Sequence, residues 1–208
     1  MEKRRGIQVE KRQIMMGIVC LSFLLSTVVG AIAANYMGAK QAASLGQEMT
    51  TFFGEIRERG ISGNTQFVPV FFKYIKYDIL IWLGGWITGG IFLSVGILLF
   101  RGISLGFTTA MLMKQFGLRG MLTATVSFVP QNIIIVPVFL FMTWAAIRFF
   151  ITMGEKGVGK AGLRRERQRK QAEYSILLGG SVLCLAVASV LEVVITPILM
   201  EGISTFLV

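Results

Sequence analysis

The chain has 208 residues, a length that suits one large domain or two small ones. Apolar residues make up 54%, charged residues only 15%, and the mean hydropathy is +0.69, which reads as a multi-pass membrane protein. There is no histidine, so Ser-His-Asp and Cys-His catalysis, histidine metal sites and a histidine pH switch are excluded.

Residues 14–37 carry no charge and follow a basic start of Lys3, Arg4, Arg5, Lys11 and Arg12. They read as the first span, since about 20 apolar residues cross the hydrocarbon core. Ala31, Ile32 and Ala33 resemble a signal-peptidase site, but the apolar run before them exceeds the usual cleavable length, so an uncleaved anchor is expected. Cys20 lies in this run and Cys184 in another, and both read as small buried hydrophobes.

Residues 38–78 form an extracytoplasmic loop in this reading. Within it, Ala42, Leu45, Met49, Phe52, Phe53 and Ile56 recur at helical spacing, opposite Gln41, Gln47, Glu48, Glu55 and Glu58. This pattern predicts an amphipathic helix over 40–59, with Gly60 as terminator. Its apolar face of Leu45, Met49, Phe52, Phe53 and Ile56 is either a docking face for an extracytoplasmic partner or a surface laid on lipid or on the protein's own spans. Residues 67–78 are aromatic and amphipathic and read as an interfacial lead-in.

Span two is expected at 79–100, which is charge-free, with Trp82 and Trp86 near its start. Arg101 then separates it from a short span three at 102–118. The glycines Gly85 and Gly89, and Gly102 and Gly106, form small-xxx-small pairs that let backbones approach closely, either inside one subunit or across a homo-oligomer face. The charge-free run 120–147 is span four. Pro130 and Pro137 interrupt it, with Gln131 and Asn132 between, so a helix break is expected near 130–132. That block is either a structural kink or the broken helix of a transport site. Asp78 and Glu192, the ionisable residues nearest the spans, are expected at span ends.

Residues 148–174 form a basic loop with eight Lys or Arg, and 175–200 is the last span, interrupted by Glu192. Basic residues favour the cytoplasm. Placing residues 1–13 and the 148–174 loop there gives five spans, with the N-terminus inside and the C-terminus outside. The alternative makes 102–131 a re-entrant hairpin and leaves three full spans. The Arg-Arg-Glu-Arg-Gln-Arg-Lys run at 164–170 is a solvated positive-inside segment that can also hold anionic membrane lipid. It has no interleaved aromatic residues, so nucleic acid is not expected. Paired carboxylates, a nucleophile–base pair and a phosphate-cradling loop are all missing from the sequence. No enzyme activity, metal or cofactor is therefore expected.

Three stretches then resemble a known family: Arg101 to Thr108 (Arg-Gly-Ile-Ser-Leu-Gly-Phe-Thr), Gln115 to Leu118 (Gln-Phe-Gly-Leu), and Val129 to Pro137 (Val-Pro-Gln-Asn-Ile-Ile-Ile-Val-Pro). Together with Phe52-Phe53-Gly54 and the order of spans, they resemble the stage II sporulation protein M family over about residues 10–200. Much of the wider family carries Pro-His-Gly followed by Glu in the third block. Gln131 and Asn132 depart from that and favour the sporulation branch. The resemblance implies a non-enzymatic membrane scaffold that holds or recruits peptidoglycan-degrading enzymes, the stage II sporulation proteins D and P, at the septal or engulfing membrane. From the residues alone, a small transporter or permease-like subunit built on the 130–132 block remains the second reading.

Overall fold

The computed structural model describes residues 2–38, 40–41, 43–48, 51, 67–87, 89–154 and 160–207, and every regular element among them is helical. Four helices carry the fold: α1 (Glu2–Asn35), α2 (Phe67–Gly84), α3 (Gly90–Gly154) and α4 (Lys160–Leu207). The segments Arg12–Asn35, Gly90–Leu122, Phe128–Met153 and Gln168–Ile195 are each long and apolar enough to cross a membrane. The described residues thus form an all-helical fold, and its four apolar helices mark a multi-pass membrane protein.

α1 shows how an apolar helix accommodates hydroxyls. Ser22 bonds back to the Val19 carbonyl at 2.8 Å, and Ser26 and Thr27 bond to that of Phe23 at 2.7 and 3.0 Å. Each hydroxyl is thereby satisfied without water. One side of the helix, Val19, Phe23, Ser26, Gly30 and Ala34, is buried, while Ile18, Leu21, Leu25, Val28 and Ile32 are exposed. An exposed apolar face of that extent fits contact with lipid.

α3 is a hairpin of two helical arms. Gly117 has φ 60° and ψ −137°, the one non-helical residue inside it. Positive φ costs an L side chain its Cβ clearance, and glycine has none. Past this corner the arms run back along each other: Arg101 reaches Asn132 across them, and a Cβ on Gly120 would strike the Leu112 carbonyl. α3 is central, packing against α1, α2 and α4, and α2 also packs against α4. Phe23, Tyr74, Ile81, Leu98, Phe139 and Leu185, drawn from all four helices, are buried together in the core.

Most of the expected 148–174 loop is helical, as the end of α3 and the start of α4, and the helix boundaries correct the sequence reading at two further points. The segment 79–100 is not one helix. α2 ends at Gly84, a turn follows, and α3 starts at Gly90 and continues without a break through Arg101. Gly89, at φ 85°, makes the turn, and Ser94 Oγ donates to the Ile81 carbonyl at 2.8 Å to secure the end of α2. A single arginine does not end a helix, whereas a glycine in the left-handed region does. The second correction concerns Pro130 and Pro137. Both lie within helical backbone, so the break expected at 130–132 falls at Gly117 instead. Each proline removes one donor but keeps helical φ, so the helix passes through it.

Residues 40–41, 43–48 and 51 are helical, and Gly46 lies against the Gln115 side chain near the Gly117 corner. Leu45 is half-buried; Met49, Phe52, Phe53 and Ile56 lie outside the described residues. Cys20 is half-buried, but Cys184 is exposed on the apolar outside of α4 rather than buried.

Candidate functional site: a polar cluster inside the bundle

Continuity of α3 through Arg101 places that guanidinium inside the candidate span Gly90–Leu122. Its Nη2 donates to Asn132 Oδ1 at 3.2 Å, and its charge lies 5.3 Å from the centroid of the Tyr74 ring. Asn132 also donates from Nδ2 to the Phe128 carbonyl at 2.8 Å, which fixes which end of its amide faces Arg101. Tyr74 is 1% exposed, and its hydroxyl donates to a Glu192 carboxylate oxygen. The other Glu192 oxygen pairs with Lys73 Nζ at 3.4 Å. One connected set of groups therefore links α2, both arms of α3, and α4.

Local sequence explains the alignment. On α2, Tyr74, Asp78 and Ile81 follow one another by four and three residues, so one helical face turns inward and carries two polar tips. Asp78 is fully buried, and its Oδ2 accepts from Ser181 of α4 at 2.5 Å. Its Oδ1 has no partner. Asp78 lies inside the α2–α4 contact, and Glu192 lies in the last turn of the candidate span Gln168–Ile195, near a span end as expected.

The cluster holds two cations, Lys73 and Arg101, against one carboxylate, Glu192. Arg101 Nε is buried without a partner, as is Gln131 Oε1, whose residue is 6% exposed. Charged groups are costly at such depth and persist where they pair with one another or serve a function. Beside the cluster, Lys73, Tyr77, Arg101, Ser104 and Phe139 line a small cavity of about 140 Å³.

The four residues singled out around the expected break do different things. Asn132 is the working member, tying Arg101 to the second arm. Gln131 is buried without a partner for its carbonyl oxygen, Pro130 is half-buried, and Pro137 is exposed. Among the glycines, Gly102 and Gly106 lie against α1, where a Cβ would strike Ser26 Oγ and the Thr27 carbonyl. Gly85 faces the Tyr174 hydroxyl at 2.6 Å from an ideal Cβ, while Gly89 has no neighbour within 4 Å and serves the turn.

Sequence reasoning missed Arg101, Tyr74 and Lys73 as site residues. The signal was present: Arg101 is the only charge between Asp78 and Lys114. A lone arginine in so long an apolar stretch reads as well as an intramembrane residue as it does as a boundary.

These features define a class: a multi-pass helical membrane protein whose spans are joined internally by a charged, hydrogen-bonded cluster. The family model for stage II sporulation protein M matches residues 19–197, and the chain belongs to that family. No curated protein and no solved structure matches it. Membership makes it a sporulation-related membrane protein.

Proposed function

We propose that the protein is a non-enzymatic scaffold that recruits or holds peptidoglycan-degrading enzymes, the stage II sporulation proteins D and P, at the septal or engulfing membrane during endospore formation. Family membership over residues 19–197 carries this reading. The bundle supports it, because the Tyr74–Glu192 and Arg101–Asn132 hydrogen bonds join helical segments to one another.

In this reading α2 is a fifth crossing, and the chain runs from a cytoplasmic N-terminus to an extracytoplasmic C-terminus. Arg12, Arg148 and the turn at 85–89 share one end of the bundle. The contacts of Trp144 with Arg12 and Arg148, and of Tyr174 with Gly85, place them there. The Lys and Arg of the N-terminal segment and of the 148–174 loop make that end cytoplasmic. The Gly117 corner and Gly46 then lie outside, and the apolar stripe of Leu45, Met49, Phe52, Phe53 and Ile56 is the docking face. Two or three such anchors, each worth roughly 1.5–3 kcal/mol when buried, hold a partner at moderate affinity after association costs.

The test is the paired change Phe52→Ser and Phe53→Ser in sporulating cells. Docking predicts a normal amount of membrane-inserted protein and loss of the wall hydrolase from its purified complex. Retained co-purification, with the protein itself depleted, makes the stripe part of the fold and removes the docking reading.

A second reading, a small transporter subunit, draws on one observation: Arg101, Glu192 and Asp78 sit inside the bundle, where transporters keep ionisable groups. It predicts solute or ion flux in vesicles that Asp78→Asn abolishes while the protein stays folded.

A further inference from the structure

The cavity of about 140 Å³ beside Arg101 lies between α2 and the two arms of α3. Lys73 and Tyr77 border it from α2, Phe100, Arg101 and Ser104 from the first arm, and the buried Phe139 from the second. It reaches the outside of the bundle, since the side chain of Lys73 is 49% exposed and Phe100 is 61% exposed. One ordered water needs only roughly 10–15 Å³, so the space admits a carboxylate-sized group.

Its polar lining offers donors. Lys73 and Arg101 are cations, and Tyr77 and Ser104 bring hydroxyls. Ser94, Thr108 and Thr109 of the same arm donate to carbonyls one turn back, but the Ser104 and Tyr77 hydroxyls donate to no protein group among the described residues. The charges do not balance either. Glu192 is the one carboxylate of the cluster, and it is taken by Lys73 at 3.4 Å and by the Tyr74 hydroxyl. Among the described residues Arg101 has no carboxylate within ion-pair distance, so one positive charge is left over.

Depth says what supplies the missing charge. Along α3, Arg101 is about 16 Å from Gly90 and about 24 Å from the Gly117 corner, near the middle of a hydrocarbon core roughly 30 Å thick. An excess charge there is costly and is retained where it meets an opposite one. Lipid headgroups lie at the two faces, out of reach. A second copy of the chain is poorly equipped, because Asp78 is fully buried and Glu192 is already held. A carboxylate carried on a neighbouring membrane span does reach this depth. The first arm also presents a surface for such a span: Phe92, Gly96 and Phe100 follow one another by four residues and are exposed, and nothing lies within 4 Å of a Cβ built on Gly96. Two phenyl ridges with a glycine gap between them suit close helix packing in lipid.

We propose that the groove between α2 and the first arm of α3 seats a transmembrane helix of another protein, whose mid-membrane carboxylate enters the cavity and pairs with Arg101 and Lys73. This contact lies inside the membrane and does not rest on the scaffold reading, which puts docking on the outer stripe.

The test uses the full chain in phosphatidylcholine vesicles at mildly alkaline pH, with a dye on an appended C-terminal tag. Synthetic polyleucine helices of about 21 residues carry the second dye. One has a glutamate at its centre, one a glutamine there, and one a glutamate two turns nearer its end. Energy transfer reads association. The central-glutamate helix is expected to associate about tenfold more tightly than either of the others. Ser104→Leu, which fills the cavity without altering a charge, and Arg101→Met each bring it down to the glutamine level. Equal association of the central-glutamate and glutamine helices overturns the charge pairing. Equal association of the two glutamate helices overturns the mid-membrane site. Both comparisons use the unaltered protein, so the outcome does not depend on a variant that folds. An undiminished preference in Ser104→Leu removes the groove as the seat. Displacement by oleate as effective as by unlabelled central-glutamate helix at the same mole fraction gives the cavity to any lipid-borne carboxylate and overturns the helix.

Discussion

Arg101 and Asn132 face each other across the α3 hairpin, with Arg101 Nη2 donating to Asn132 Oδ1 at 3.2 Å. The bond joins the two arms on either side of the Gly117 corner, and Tyr74 carries the connection on to Glu192. The contact has unequal consequences for its two partners. Asn132→Leu leaves a buried guanidinium without its acceptor, at about 1–3 kcal/mol, whereas Arg101→Met removes the charge together with the need for a partner. Thermal unfolding of the purified full chain is expected to show the larger loss for Asn132→Leu. In the double variant part of that loss returns. Strictly additive losses mean that the two residues do not interact.

Asp78 gives a separate prediction. Its carboxyl is fully buried and receives one hydroxyl, from Ser181. Replacing such a group by a neutral one of equal shape is often neutral or stabilising. Asp78→Asn is therefore expected to keep the melting temperature and support sporulation at the level of the unaltered protein. Normal folding combined with failed sporulation would assign Asp78 a chemical task and favour the transporter reading.

Close packing of α1 on α3 is testable through glycines of opposite surroundings. A Cβ at Gly106 would strike the Thr27 carbonyl, while Gly96 has no neighbour within 4 Å. Gly106→Val is expected to deplete the protein from membranes by forcing the backbones apart. Gly96→Ala leaves the amount unchanged or raises it, since alanine is better in a helix by about 1 kcal/mol. Immunoblots of membrane fractions decide, and equal behaviour of the two variants contradicts the contact.

Gly117, not Pro130, carries the break that sequence reasoning expected near 130–132. At φ 60°, Gly117→Ala costs about 1–2 kcal/mol in the left-handed region. Pro130→Ala restores a donor within a helix that is already continuous, so stability is expected to hold or rise. A lower melting temperature for Pro130→Ala than for Gly117→Ala would return the break to the proline.

Helical class, membrane habit and family were legible in the sequence because charge-free runs and the Pro130-Gln131-Asn132 block are local patterns. Boundaries were less so. Arg101 was read as the edge of a span, since hydropathy cannot tell a charge at an interface from one held in a bundle. Tyr74 and Asn132, which hold it, lie on other helical segments and are unrelated to it by spacing. Proline drew attention as a breaker, while the glycines at 89 and 117 that reverse the chain looked like any other small residue. Asp78 shows the same limit: its partner Ser181 is on α4.

The central claim is that the chain turns at 85–89 on the side of the basic loop, so that Arg101 lies inside the membrane. Single cysteines at Ile87, at Leu118 and at Gly159, with Cys20 and Cys184 replaced by serine, test it in intact cells and in inverted vesicles. Ile87 and Leu118 are 54% and 78% exposed. The account predicts that an impermeant thiol reagent labels Leu118→Cys in intact cells. It labels Ile87→Cys and Gly159→Cys only in inverted vesicles. Protection of Ile87→Cys in both preparations, as a residue within a 79–100 span would show, contradicts the account.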